Sequence, residues 1–108
     1  IYRENLDNKY IKIPEDKKNE INSYVMLLSQ AEKRDSLQKY LSLNKIQSLV
    51  YYGTPLHLHK ATKKLGYKRG SLPMAEKLAA KVLALPHHQN LSKEQILYAC
   101  NKINNFYN

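Results

Sequence analysis

The chain's 108 residues leave room for one hydrophobic core, and 43% apolar residues are enough to fill it. It has 25% charged residues, three glycines, four prolines, one cysteine and no apolar run near the roughly 18 residues of a membrane span. That composition excludes disordered, collagen-like, disulfide-scaffold and helical transmembrane classes. The net charge of +9 is concentrated in the middle: residues 33–81 hold eleven basic and two acidic side chains, against a net −1 before them and +1 after. Such a segment implies either an anionic partner or a solvated lysine-rich face.

In chain order, Ile1–Leu6 reads as the last turn or two of a helix. Ile1 is not a Met, which reads as a cut end. Asp7–Glu20 is a polar loop containing Pro14, with Ile11 and Ile13 in a short extended piece. Ser23–Leu28 is predicted as a strand apolar on both faces. Ser29-x-x-Glu32 matches a capping box for the next helix, with Asp35 as an alternative start. Leu37, Tyr40 and Leu41 form that helix's apolar stripe, and Asn44 is its expected left-handed stop. Ile46–Tyr52 is predicted as a second strand, making strand–helix–strand, an α/β signal.

Gly53-Thr54-Pro55 breaks that strand. His57–Leu65 is predicted as a short helix stopped by Gly66, followed by a loop at Tyr67–Ser71. Pro73 opens a helix whose stripe of Met74, Leu78, Val82 and Leu85 runs to Pro86. Ser92-x-x-Gln95 is a second capping box, opening a helix with Ile96, Ala99, Cys100, Ile103 and Phe106 on one face. The fold class expected is α/β (α+β): a small sheet of two to three strands packed with about four helices.

Little here is equipped for chemistry. His57-x-His59 and His87-His88 have no acidic neighbour in sequence and no zinc-type spacing, so no metal site is expected. Cys100 falls on an apolar stripe and reads as a small buried hydrophobe. No nucleophile sits beside a plausible base, so no catalytic residue is assigned. The tyrosines are the unusual feature: nine of them, against one Phe and no Trp. A tyrosine hydroxyl needs a partner when buried. Tyr51 and Tyr52 end a predicted strand just before a turn and His57, where ligands often sit; edge packing is the competing reading.

The segment YYGTPLHLHKATKKLGYKRGSLPMAEKLAAKVLALP resembles the C-terminal part of the DegT/DnrJ/StrS family of pyridoxal-phosphate-dependent nucleotide-sugar aminotransferases. The residues that carry the resemblance are Tyr52, Pro55-Leu56-His57, Leu65-Gly66-Tyr67, Gly70, Leu72-Pro73, Ala75-Glu76 and Leu83-Ala84-Leu85-Pro86. Three positions depart from the family pattern: Tyr51 stands for its His, Gly53 for a Pro, and Gln89 for the second Pro after Leu-Pro. The resemblance implies the small C-terminal domain of a fold-type I aminotransferase, with residues 1–6 the end of an interdomain helix and 7–108 the domain itself. It implies a nucleotide-sugar substrate, with Tyr51, Tyr52, His57 and Lys60 as substrate-binding residues. Pyridoxal phosphate would belong to the parent enzyme, and none is expected on this chain alone. The family's Schiff-base lysine follows a Ser-Phe, and the only Phe here is Phe106. The parent is expected to be a cytoplasmic homodimer, acting in surface-polysaccharide or amino-sugar biosynthesis.

Read from the residues alone, two other functions stay open. Tyrosines among lysines suit a small basic nucleic-acid-binding module, although the cations do not share one helical face and no recognition motif is present. A non-catalytic interaction domain is the other.

Overall fold

The computed structural model describes residues 1–108. In order, the elements are helix α1 (Tyr2–Asn5), strand β1 (Ile11–Lys12), strand β2 (Leu27–Ala31), helix α2 (Arg34–Leu43), two 3-10 turns (Leu56–Leu58 and Lys60–Leu65), helix α3 (Pro73–Lys81), strand β3 (Val82–Leu85) and helix α4 (Lys93–Tyr107). The three strands form one antiparallel sheet in the order β1-β2-β3, with Leu27 opposite Leu85 and Ile11 opposite Ala31. An α+β domain of three strands and four helices is thus present.

The core explains the arrangement. Leu27, Ser29 and Ala31 alternate inward from β2 and meet Leu37 and Leu41 of α2, and Ala99, Cys100 and Ile103 of α4. α4 begins as predicted: Ser92 Oγ accepts from the Gln95 amide, and Gln95 Oε1 accepts from the Ser92 amide. The first residues belong to this core. Tyr2 and Leu6 are buried, the Tyr2 hydroxyl donates to Pro86 O at 3.0 Å, and Asn104 Nδ2 donates to Asn5 O at 2.7 Å. Burial pushes the Tyr2 phenol above its ordinary range. The Tyr107 phenol, buried beside Glu32, is pushed up to about 12. Both hydroxyls have carbonyl partners, Tyr107 donating to Glu32 O at 2.5 Å.

Several expectations are corrected. The first long strand is not Ser23–Leu28 but Leu27–Ala31; Tyr24 takes a left-handed φ of 48° and Val25 is exposed. Ser29 caps nothing: it lies mid-strand, 1% exposed, its hydroxyl donating to Leu83 O at 2.9 Å. α2 starts at Arg34, after a left-handed Lys33 and without a side-chain cap. The left-handed residue beyond α2 is Lys45, not Asn44. Ile46–Tyr52 is not a strand. Only Leu49 pairs, with Ala84, because left-handed Lys45 and Tyr52 bend the chain away on either side. The stripe from Met74 to Leu85 is broken at Val82, where the backbone turns extended and becomes β3. A short apolar run has no period of its own, and pairing with β2 decides its state.

Candidate functional site

Tyr51, the two 3-10 turns and α3 enclose a hollow of roughly 560 Å³. Local sequence shapes each wall. Pro55 sets the first 3-10 turn, which presents His57 inward. Gly66 and Gly70, at φ 80° and 91°, allow the chain to double back over α3. Pro73 begins α3 without wasting an amide. The lining is mostly apolar, from Leu65, Leu72, Ala75, Leu78 and Val82.

One polar cluster organises it. His57 Nε2 donates to Glu76 Oε1 at 2.9 Å, with both side chains largely buried. The same carboxylate accepts from the Gly70 amide at 2.8 and 3.0 Å and from the Leu72 amide at 3.4 Å. The hydrogen bond from His57 and those from the two amides hold the Glu76 carboxyl below its ordinary value, against the opposing effect of burial. The Tyr67 ring meets His57 edge-on, centroids 6.1 Å apart.

The predicted residues are placed unequally. Tyr51, Tyr52 and His57 all line the hollow. Tyr51 also borders a second concavity, of roughly 650 Å³, beside Leu49, His87 and Tyr98. Tyr52 is 82% exposed and left-handed at φ 60°, a conformation that costs an L-residue about 1–2 kcal/mol. Lys60 is exposed at the start of the second 3-10 turn and is not part of the hollow's wall. Lys60, Lys63, Lys64, Lys68 and Arg69 are exposed, enter no ion pair and are absent from its lining.

Two residues that position the site were not picked out from sequence. Glu76 is a residue of the family motif and one of only two acids in the basic segment, but neither signal assigned it a role at the site. Arg34 had none. It is 8% exposed, and its Nη1 donates to Ala79 O at 3.0 Å and Val82 O at 2.9 Å, tying α2 to the junction of α3 and β3. Ala79 and Val82 belong to the hollow's wall, so Arg34 braces that wall from behind.

The hollow does not fit pyridoxal phosphate. No lysine and no carboxylate lines it, and the neighbouring Glu76 carboxylate is already engaged by His57 and two amides. No three metal-ligating side chains converge anywhere in the chain. What the hollow offers is an apolar floor, aromatic rims and one histidine: a binding surface rather than a reaction centre.

The antiparallel sheet backed by α2 and α4, with this hollow on its flank, is the architecture of a small domain found in sugar aminotransferases. The structure of S. venezuelae DesV in complex with a ketimine intermediate superposes with a TM-score of 0.88 and 28% identity, over 97% of this chain and 29% of that one. The family model for DegT/DnrJ/EryC1/StrS aminotransferases matches residues 1–104, and the chain belongs to that family. Among curated relatives, the pleiotropic regulatory protein of Geobacillus stearothermophilus is 47% identical over 78 residues, 72% of this chain and 21% of its own length. GDP-perosamine synthase of Escherichia coli O157:H7 is 32% identical over 111 residues, 99% of this chain and 29% of its own length. The chain therefore spans between about a fifth and a third of these relatives.

Proposed function

We propose that this chain is the C-terminal domain of a nucleotide-sugar aminotransferase and shapes the substrate end of its active site. The observation that carries the reading is the coincidence of the family match over residues 1–104 with a hollow whose polar side chains include Tyr51, Tyr52 and His57. In this reading residues 1–6 end the helix that joins the two domains, and 7–108 form the substrate-facing domain. Pyridoxal phosphate, held by parts of the enzyme that this chain does not match, supplies the electron sink for amine transfer. The chain's own contribution is binding. The aromatic rims and apolar floor take the sugar or base, and hydroxyls and the imidazole orient it. Lys60 and its neighbours add long-range attraction to the phosphates. The whole enzyme is read as a cytoplasmic homodimer; the buried, unpaired thiol of Cys100 suits a reducing compartment.

The test uses the full-length protein with pyridoxal phosphate and dTDP- or GDP-linked keto-sugars, following the amino-sugar product by mass. Turnover is expected, and His57→Ala and Tyr52→Phe are expected to raise KM several-fold with the fold intact. No turnover with any nucleotide-linked keto-sugar, or unchanged KM in both variants, would overturn the reading.

A further inference from the structure

The use of Glu76 is unusual for a carboxylate on the first turns of a helix in a basic segment. It forms no pair with any of the surrounding lysines. Instead, three donors from two elements converge on it: His57 Nε2 from the first 3-10 turn, and the Gly70 and Leu72 amides from the loop before α3. An ionised carboxylate can only accept hydrogen bonds, and its two amide donors suit the ionised form. The nitrogen facing it must therefore carry the proton. That fixes the imidazole: Nε2 is N–H, and in the neutral ring Nδ1 is a bare acceptor. Nδ1 has no partner within the chain and is not among the sealed, unpartnered polar atoms, of which Ser48 Oγ is the one example. It belongs to a residue lining the hollow.

We propose that Glu76 is a positioning residue that holds His57 in the Nε2–H form, so that Nδ1 accepts a hydrogen bond from a hydroxyl of the ligand in the hollow. The proposal rests on the nucleotide-sugar reading for the identity of that ligand. It also alters that reading's chemistry: the acceptor at Nδ1 recognises a sugar or ribose hydroxyl, and the phosphates are left to the cations outside. Tyr67, edge-on to the ring, and Gly70, left-handed against the carboxylate, keep the pair aligned. Glu76 acts on the ligand only through His57.

Histidine-selective ¹⁵N labelling of the full-length protein tests this, with His57 assigned by its loss in His57→Ala. Near neutral pH the wild type should show a protonated Nε2, its proton visible because exchange with water is slowed, and an unprotonated Nδ1. In Glu76→Met that proton signal should vanish, and dTDP-glucose or GDP-mannose should bind about tenfold more weakly, the loss of one well-placed hydrogen bond. Glu76→Gln, which keeps one carbonyl oxygen for the same donors, should lie between the two and guards against misfolding of the Met variant. A wild-type Nδ1–H form would overturn the proposal. So would a protected Nε2–H that survives in Glu76→Met, or binding of either sugar nucleotide unchanged in both Glu76 variants. If neither sugar nucleotide binds the wild type, the nucleotide-sugar reading fails, and the ring-proton signals still decide whether Glu76 fixes His57.

Discussion

Replacing Arg34 by Met removes a buried cation whose side chain spans two elements. Its stem packs at the start of α2, and its Nη1 serves two carbonyls, Ala79 O at 3.0 Å and Val82 O at 2.9 Å. Its Nε donates to Asp35 at 2.6 Å, but that carboxylate is exposed and water replaces the partner at little cost. The two carbonyls are different: both sit where α3 has run out of its own amides and β3 begins, so little else in the chain satisfies them. Hydrogen bonds from a charged donor contribute about 1.5–3 kcal/mol each before the recovered packing of Met is counted. The expected net loss is about 2–4 kcal/mol, on the order of 15 °C in melting temperature for a chain of this size. Arg34→Lys keeps the charge but not the forked geometry and should recover less than half. Urea unfolding followed by circular dichroism measures both. A Met variant within about 0.5 kcal/mol of wild type would refute the argument, showing that these carbonyls are served by water and that the wall at Ala79 and Val82 needs no brace.

Three further outcomes follow from the site. At position 52, where φ is 60° and the side chain is 82% exposed, Tyr52→Gly should be about 1 kcal/mol more stable than Tyr52→Ala, since only the Ala variant keeps the left-handed strain; equal unfolding free energies would contradict this. Because the Glu76 carboxyl is held below its ordinary value of 4.5, its hydrogen bonds are fully present above that pH and are lost as pH falls through the lower value of the folded protein; the Gly70 amide should stay protected from exchange down to pH 4.5, and protection lost by pH 6 would show that the carboxylate is not the acceptor. Replacing Lys60, Lys63 and Lys64 together by Gln should raise the full-length enzyme's KM for its nucleotide-sugar about three- to tenfold at low salt, with the difference collapsing near ~1 M salt, where the screening length falls to about 3 Å; an effect that survives high salt would move those lysines from attraction at a distance to direct contact.

What the sequence made legible depends on whether a residue's role is local. The capping box at Ser92, the stop at Gly66, Pro73 at the first turn of α3 and the buried stripe of α4 all involve groups within a turn of one another, and each reads directly from spacing. The elements that spacing misplaces are settled by pairing across the chain. Val82–Leu85 is apolar at every position, so neither a period of two nor one of 3.6 is visible in it, and its strand state comes from β2, about 54 residues earlier in the chain. The same holds for Ser29, which imitates a cap in sequence and is a buried strand residue because Leu83 O lies opposite. Arg34 is the extreme case: its partners are 45 and 48 residues away, and an arginine at the start of a helix looks like any surface charge. At the site, recognisable motif residues led to Tyr51, Tyr52 and His57. That Glu76 is their organiser depends on a loop doubling back through two left-handed glycines, a shape no spacing rule contains.

The charge that dominates the composition ends up outside the hollow it seemed to define. Five unpaired cations flank the hollow, while its wall is apolar and its one buried ionisable pair, His57 with Glu76, satisfies itself. A site built to seize phosphate would bring forked or amide donors inward, as guanidinium groups and helix N-termini do. Here the inward backbone amides, from Gly70 and Leu72, are spent on Glu76. The proposed reading therefore divides the labour in space: long-range attraction from the exposed cations, shape and hydroxyl recognition from the hollow. Of the three departures from the family pattern, Tyr51 lines the hollow, while Gly53 and Gln89 do not. At Gly53 a Cβ would sit 3.0 Å from Val50 Cγ1, so a larger residue there would need the Val50 side chain to shift by a few tenths of an ångström. On the proposed reading, substrate choice falls to the aromatic edge, and the net charge sets how readily an anionic ligand arrives.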